Sequence, residues 1–164
     1  MDQITRLDVW VSRLCLSHGY NHIQARISRL VSRTGDGPLY LLLALLLAWL
    51  DGERGMGFLR AGLTVFALEL PLYLLLKNYI KRERPSGLPV FIRPSDRYSL
   101  PSGHTAAAFV MASLVAIHYP SMAPLAFVWA AVIGASRLLL GVHFLTDLIA
   151  GALLGSGCTL LVLL

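Results

Sequence analysis

LPSGHTAAAF, Leu100–Phe109, carries the chain from a turn into an apolar run within ten residues. Pro101 and Gly103 punctuate the backbone, and the sequence after His104 stays apolar to about residue 118, so a membrane-entering helix is expected to begin here. His104 then stands at the lip of that helix, an ionisable ring at the edge of hydrocarbon. Immediately upstream, Lys81–His104 is rich in Pro, Gly, Ser and Arg and cannot be a span. It reads as a loop at the membrane surface.

Composition agrees with a membrane setting. Of 164 residues 56% are hydrophobic and 14% charged, and the mean hydropathy is +0.67, far from a soluble globular balance. The formal charge of +5 points to anionic lipid head groups rather than nucleic acid, because so apolar a chain has no soluble basic face to offer. Cys15 and Cys158 match no metal-ligand spacing and read as small packing residues. Leu7–Leu16 is interrupted by Asp8, Ser12 and Arg13, so no signal-peptide core is expected there and insertion relies on internal spans.

The fold expected is an all-α, polytopic bundle in one domain over residues 1–164. Five spans are read at about 38–50, 59–80, 104–118, 122–140 and 143–164, the first and third short for the hydrocarbon thickness. Residues 1–37 form an amphipathic preface: Ile4, Leu7, Val11 and Leu14, then Ile23, Ile27, Leu30 and Val31, recur at helical spacing beside arginines, as in helices lying in the interface. A second layout lets residues 4–16 cross as a sixth span. TGDGP, Thr34–Pro38, is a turn with Pro38 opening the next helix.

Counting crossings on the five-span layout brings three polar clusters to one membrane face. These are Lys77 with Arg84-Pro85, then Pro101-Ser102-Gly103-His104, then Ser136-Arg137 with His143 and Asp147. Arginine forks and a lysine can clamp the oxygens of a phosphoryl group, and phosphoryl transfer asks mainly for such positioning and charge neutralisation. The N–H groups of Ser102 and Gly103, at a helix start, would add donors aimed at an anion. His143 and Asp147 share a helical face, so the carboxylate can orient one ring nitrogen while the other attacks phosphorus. His104 is placed to protonate the leaving oxygen and later to activate water.

The order and spacing of these blocks resemble the type 2 phosphatidic acid phosphatase superfamily over residues 77–147, with every alignable signature position filled. The resemblance implies a small bacterial-type membrane lipid phosphatase of the bacterial inner membrane. It assigns His143 as nucleophile, Asp147 as its relay partner, His104 as general acid, and Lys77, Arg84, Ser102, Gly103 and Arg137 as phosphate ligands, with no metal and no cofactor. The implied substrates are phosphatidylglycerophosphate, phosphatidate, or a polyprenyl phosphate or diphosphate. A phosphotransferase passing the group to another lipid, and a non-catalytic lipid-binding protein, are the alternative readings.

Outside the motif, Lys81, Arg82, Arg93 and Arg97 are expected to meet head groups, with Glu83 and Asp96 pairing with them. His18, His22 and His118 read as structural. Glu69 lies inside the second span, two turns before Lys77, and either braces the site or serves helix packing. On the five-span layout twelve of the 14 basic residues fall on the catalytic face, which places it toward the cytoplasm. Many bacterial members of the resembled family are described with six spans and a periplasmic site, so the side stays open at this point.

Overall fold

A computed structural model describes residues 3–94 and 96–163. Among the described residues the chain is helical and has no strand: α1 Gln3–Leu16, α2 Asn21–Arg33, α3 Gly37–Leu50, α4 Gly52–Ile80, α5 Gly103–His118, α6 Ala123–Leu139 and α7 Leu145–Leu163. A short 3-10 turn, Pro120–Met122, leads into α6. Every apolar run read from the sequence is thus a helix, within two residues of its expected bounds except at the start of α4, which begins at Gly52 rather than at about 59.

Length separates these helices. Three are long and apolar enough to cross a bilayer alone: α4, the Pro120–Leu139 unit and α7. The first expected span, α3, has only 14 residues, roughly 21 Å of helix against a hydrocarbon core of about 30 Å. It reaches crossing length only together with α2, from which it is bent by 45°. α5, at 16 residues, is also short. It can be short because it is the central helix, packed against α4, α6 and α7 rather than exposed along its length to lipid.

α1 and α2 invert the usual amphipathic arrangement. Their large apolar residues point outward, with Ile4, Leu7, Trp10 and Leu14 on α1 and Ile23, Ile27 and Leu30 on α2 all at least half exposed. The faces turned to the protein carry Asp8 and Ser12, and Ala25, Ser28 and Ser32. An interfacial helix must satisfy lipid on one side and protein on the other; here Asp8 and the serines face the protein, while Arg6, Arg13, Arg26, Arg29 and Arg33 stay exposed beside the apolar residues.

Small residues set the closest packing. A Cβ on Gly151 would lie 2.6 Å from the Ser102 carbonyl oxygen, and one on Gly155 only 2.1 Å from that of Ala106. Backbone lies against backbone at the α5–α7 crossing, as small-residue interfaces permit in membrane bundles. This contact lays the PSGH turn against the start of α7, where His143 and Asp147 sit. Gly155→Leu is therefore expected to destabilise the protein by about 1–3 kcal/mol or more, while Gly157→Leu, where nothing lies within 4 Å, leaves stability near wild type. Thermal unfolding of the two variants in the same detergent checks this.

Candidate active site

The ends of α4, α5, α6 and α7 meet beneath the loop of residues 81–102. α4 ends where Lys81 adopts left-handed backbone, φ 53°, sending the chain sideways so that Arg84 turns back over the site. Two cations converge there on one carboxylate. Lys77 Nζ donates to Asp96 Oδ1 at 2.8 Å and Arg84 Nη2 donates to the same oxygen at 2.7 Å. The Tyr73 hydroxyl accepts from Lys77 at 2.6 Å and donates to Asp96 Oδ2 at 3.0 Å. Burial alone would raise the Asp96 pKa, but the hydrogen bonds and charges of Lys77 and Arg84 outweigh it and hold the carboxyl at about 2.

The His143 turn is clamped by the same loop. Gly141 has φ +74°, and a Cβ there would lie 2.1 Å from the Pro89 carbonyl oxygen, so glycine is required on both counts. Phe91 N–H donates to the Leu140 carbonyl at 3.0 Å. His143 is consequently buried, with Nε2 3.4 Å from Arg84 Nη1 and Nδ1 3.6 Å from Asp147 Oδ2. The second separation is an ion-pair distance, longer than a hydrogen bond, and Nδ1 has no closer partner. The tautomer that suits both neighbours carries its proton on Nδ1, facing the carboxylate, and leaves the Nε2 lone pair toward Arg84. Burial lowers the His143 pKa and the charges of Arg84 and Arg137 lower it further, against Asp147, to about 4. At neutral pH the ring is uncharged.

Asp147 sits in the first turn of α7 and accepts from the Phe144 N–H at 2.8 Å, closing the turn as a capping-box acid does. Its Oδ1 accepts from Arg82 Nη1 at 2.8 Å. Arg137, also buried, donates from Nη1 to Ser32 Oγ at 2.7 Å, while its Nε has no hydrogen-bond partner among the described residues. Its charge acts on both His143 and His104. His104 is held by Asp36, Nε2 to Oδ1 at 3.0 Å. Gly103 starts α5 and keeps room for Tyr73, whose ring would lie 3.0 Å from an added Cβ. Ser102 departs from the donor role expected of it: its N–H is spent on the Asp147 carbonyl at 3.0 Å and its Oγ accepts from Thr105 at 2.9 Å. It ties the second cluster to the third, while the first-turn N–H groups of Gly103, His104 and Thr105 have no acceptor within the helix.

Residues 58–164 match the family model described as the PAP2 superfamily. The chain belongs to this superfamily. It is 36% identical over 104 residues to phosphatidylglycerophosphatase B of Bacillus subtilis, an alignment covering 57% of this chain and 50% of that protein. It is 32% identical over 123 residues to the decaprenylphosphoryl-5-phosphoribose phosphatase of Mycobacterium tuberculosis, covering 71% of this chain and 66% of the relative. The chain thus spans half to just under two thirds of these curated relatives. The crystal structure of Aquifex aeolicus LpxE superposes with a TM-score of 0.82 at 26% identity, over 96% of this chain and 94% of that one. A B. subtilis transmembrane PAP2-type phosphatidylglycerolphosphate phosphatase shares the fold, with a TM-score of 0.79 at 24% identity over 99% and 85% of the two chains.

In this PAP2 chain the signature residues gather as one site, but four carboxylate and guanidinium groups around them were not assigned to it from sequence. Asp96 pairs with Lys77 and Arg84. Arg82 does not reach out to head groups; it turns inward between Asp8 and Asp147. Asp8, on the preface helix, is fully buried. Asp36 lies in what reads as a plain turn. One signal was available: Asp8 and Ser12 are one helical turn apart on an otherwise apolar-and-basic helix, and in an interfacial helix such a pair marks the protein-facing side. Glu69, also buried, lines a cavity of about 480 Å³ that runs between α3, α4 and α5 to His104 and Asp36, past Tyr40, Phe66 and Met111. The ring of His143 is expected to titrate near pH 4 rather than 6.5, neutral above that value, and Arg84→Met to move it upward by removing a nearby positive charge. Nitrogen-15 NMR of histidine-labelled protein reads both.

Proposed function

We propose that the chain is an integral-membrane lipid phosphatase that hydrolyses a phosphomonoester or pyrophosphate of a lipid through a phosphohistidine at His143. The observation that carries this reading is the Asp96 carboxylate held jointly by Lys77 and Arg84, with Arg84 also beside His143 Nε2. An anion site formed by those two cations thus adjoins an uncharged imidazole. A phosphoryl group taking the place of that carboxylate would be clamped by Lys77 and Arg84, with Arg137 adding charge.

In the first step His143 Nε2 attacks phosphorus, the P–N bond forms, and the P–O bond to the lipid breaks as His104 delivers a proton to the departing oxygen. Asp147 stabilises the ring as it becomes positively charged. In the second, His104 takes a proton from water, the water oxygen attacks phosphorus, and the P–N bond breaks to release inorganic phosphate. The cavity beside His104, largely apolar and lying between α3 and α4, suits a lipid tail entering laterally. Phosphatidylglycerophosphate, phosphatidate and polyprenyl phosphates or diphosphates are the substrate classes proposed, in keeping with the lipid phosphates named for the two curated relatives. Purified protein tested on these lipids with a chelator present is expected to release labelled phosphate as the free ion. His143→Ala should lower kcat by at least about 10³-fold while remaining folded. Label retained on a second lipid would identify a transferase, and undiminished hydrolysis by His143→Ala would overturn the mechanism.

The same reading treats residues 1–164 as one unit in the bacterial inner membrane, with α3 to α7 crossing and the site facing the cytoplasm. Its support is that α1 and α2 dock at the loop end of the bundle, Asp8 on Arg82 and Arg29 on the Phe91 carbonyl at 2.8 Å, and that arginine is concentrated on that face. Reporters fused to the N-terminus and inserted within residues 86–94 are expected on the same, cytoplasmic side; opposite sides would sink the five-span layout.

A further inference from the structure

Asp8 is a buried carboxylate on a helix outside the PAP2 match, which begins at residue 58, and the chemistry proposed above makes no use of it. Its two oxygens take three donors. Oδ1 accepts from the Thr146 N–H at 3.1 Å, and Oδ2 accepts from Thr146 Oγ1 at 2.5 Å and from Arg82 Nη2 at 2.6 Å. Thr146 lies in the first turn of α7, whose leading N–H groups have no partner within the helix. Asp8 therefore caps α7 from another helix, one residue before Asp147.

Arg82 completes the arrangement. Its Nη1 donates to Thr146 Oγ1 at 2.6 Å and to Asp147 Oδ1 at 2.8 Å, and its guanidinium lies 4.5 Å from the centre of the Phe144 ring. One cation is thus divided between two fully buried carboxylates, with Ser99 Oγ 3.4 Å from the Asp147 oxygen it shares. A guanidinium paired with Asp147 alone would draw that carboxylate's charge away from His143 and weaken the stabilisation of a positive ring. Sharing it with Asp8 leaves Asp147 more negative charge for the imidazole, and the Thr146 contacts fix where Asp147 stands.

We propose that Asp8 is a positioning residue for the reaction centre: through Arg82 and the first turn of α7 it sets the place and charge of Asp147, and so the orientation of His143. The inference rests on the proposed phosphatase function. It makes α1, which exposes Ile4, Leu7, Trp10 and Leu14, part of the catalytic assembly rather than a membrane anchor alone.

Asp8→Asn keeps the shape and one acceptor for Thr146 but removes the charge. In the full-length protein it is expected to lower kcat by about 10–100-fold, the range typical of groups that orient a reacting side chain, with KM unchanged. Asp8→Glu should recover part of the loss. Asp8→Asn added to Arg82→Met should cost little more than Arg82→Met alone, since both act through Asp147. The nitrogen-15 resonances of His143, assigned with His143→Ala, should move in Asp8→Asn at fixed pH, which a mere tether of α1 would not cause. If Asp8→Asn does not fold, Asp8→Ser, which also removes the charge, carries the same two measurements. A folded variant with wild-type kcat and unmoved His143 resonances would overturn the inference. Absence of turnover in the wild type would instead fail the proposed function, and the resonances would still decide the role of Asp8.

Discussion

Charge at the edge of hydrocarbon is costly unless it is partnered, and this constraint organises the loop end of the bundle. Lys77, Arg82, Arg84, Asp8 and Asp147 are all withdrawn from solvent to a large extent, and the ion pairs of Lys77 with Asp96 and of Arg82 with Asp8 and Asp147 cross between elements. Asp8 comes from α1, Arg82 and Arg84 from the loop, Asp147 from α7 and Lys77 from α4. Each pairing that satisfies a charge also fixes one element against another. Removing one partner would leave the other buried and uncompensated, a change that typically costs several kcal/mol. The polar site and the mutual placement of the helix ends are therefore one problem with one solution.

Close backbone packing supplies the other half of that solution. α5 can approach α7 because Gly151 and Gly155 present no side chain to it, and the approach lets Ser102 donate to the Asp147 carbonyl. On the far side Gly141 allows the loop to lie directly on the His143 turn. The backbone that carries the imidazole is thereby located by backbone contacts on two sides. This is the kind of support a reacting group needs if its geometry is to be held to within a fraction of an ångström.

The reach of sequence reasoning follows from the range of the interactions. Helices were legible because apolar runs and Pro or Gly stops are local signals, and the three signature blocks were legible because their residue types and spacings are joint and specific. His143 and Asp147 lie one turn apart, so their pairing could be read directly. Asp8 and Arg82 are separated by 74 positions and Asp36 and His104 by 68; nothing local couples such residues. Arg82 reads as a cation for lipid head groups because the carboxylates that take it, Asp147 and Asp8, lie 65 and 74 positions away. Span counting met a different limit: α3 and α5 are shorter than the bilayer, and what their length means depends on neighbours that sequence periodicity does not reveal.

Asp96 gives the anion site a resting occupant of its own. Lys77 and Arg84 do not wait as bare cations beside an apolar cavity; the loop supplies a carboxylate that already bridges them. An incoming phosphate that used the same nitrogens would therefore replace one anion by another instead of filling an empty charge well. The affinity measured for such a ligand is the difference between two pairings, so tight cationic contacts need not produce tight retention of product. The loop that closes over the helix ends thus carries its own counterion for both cations, 12 positions from Arg84 and 19 from Lys77.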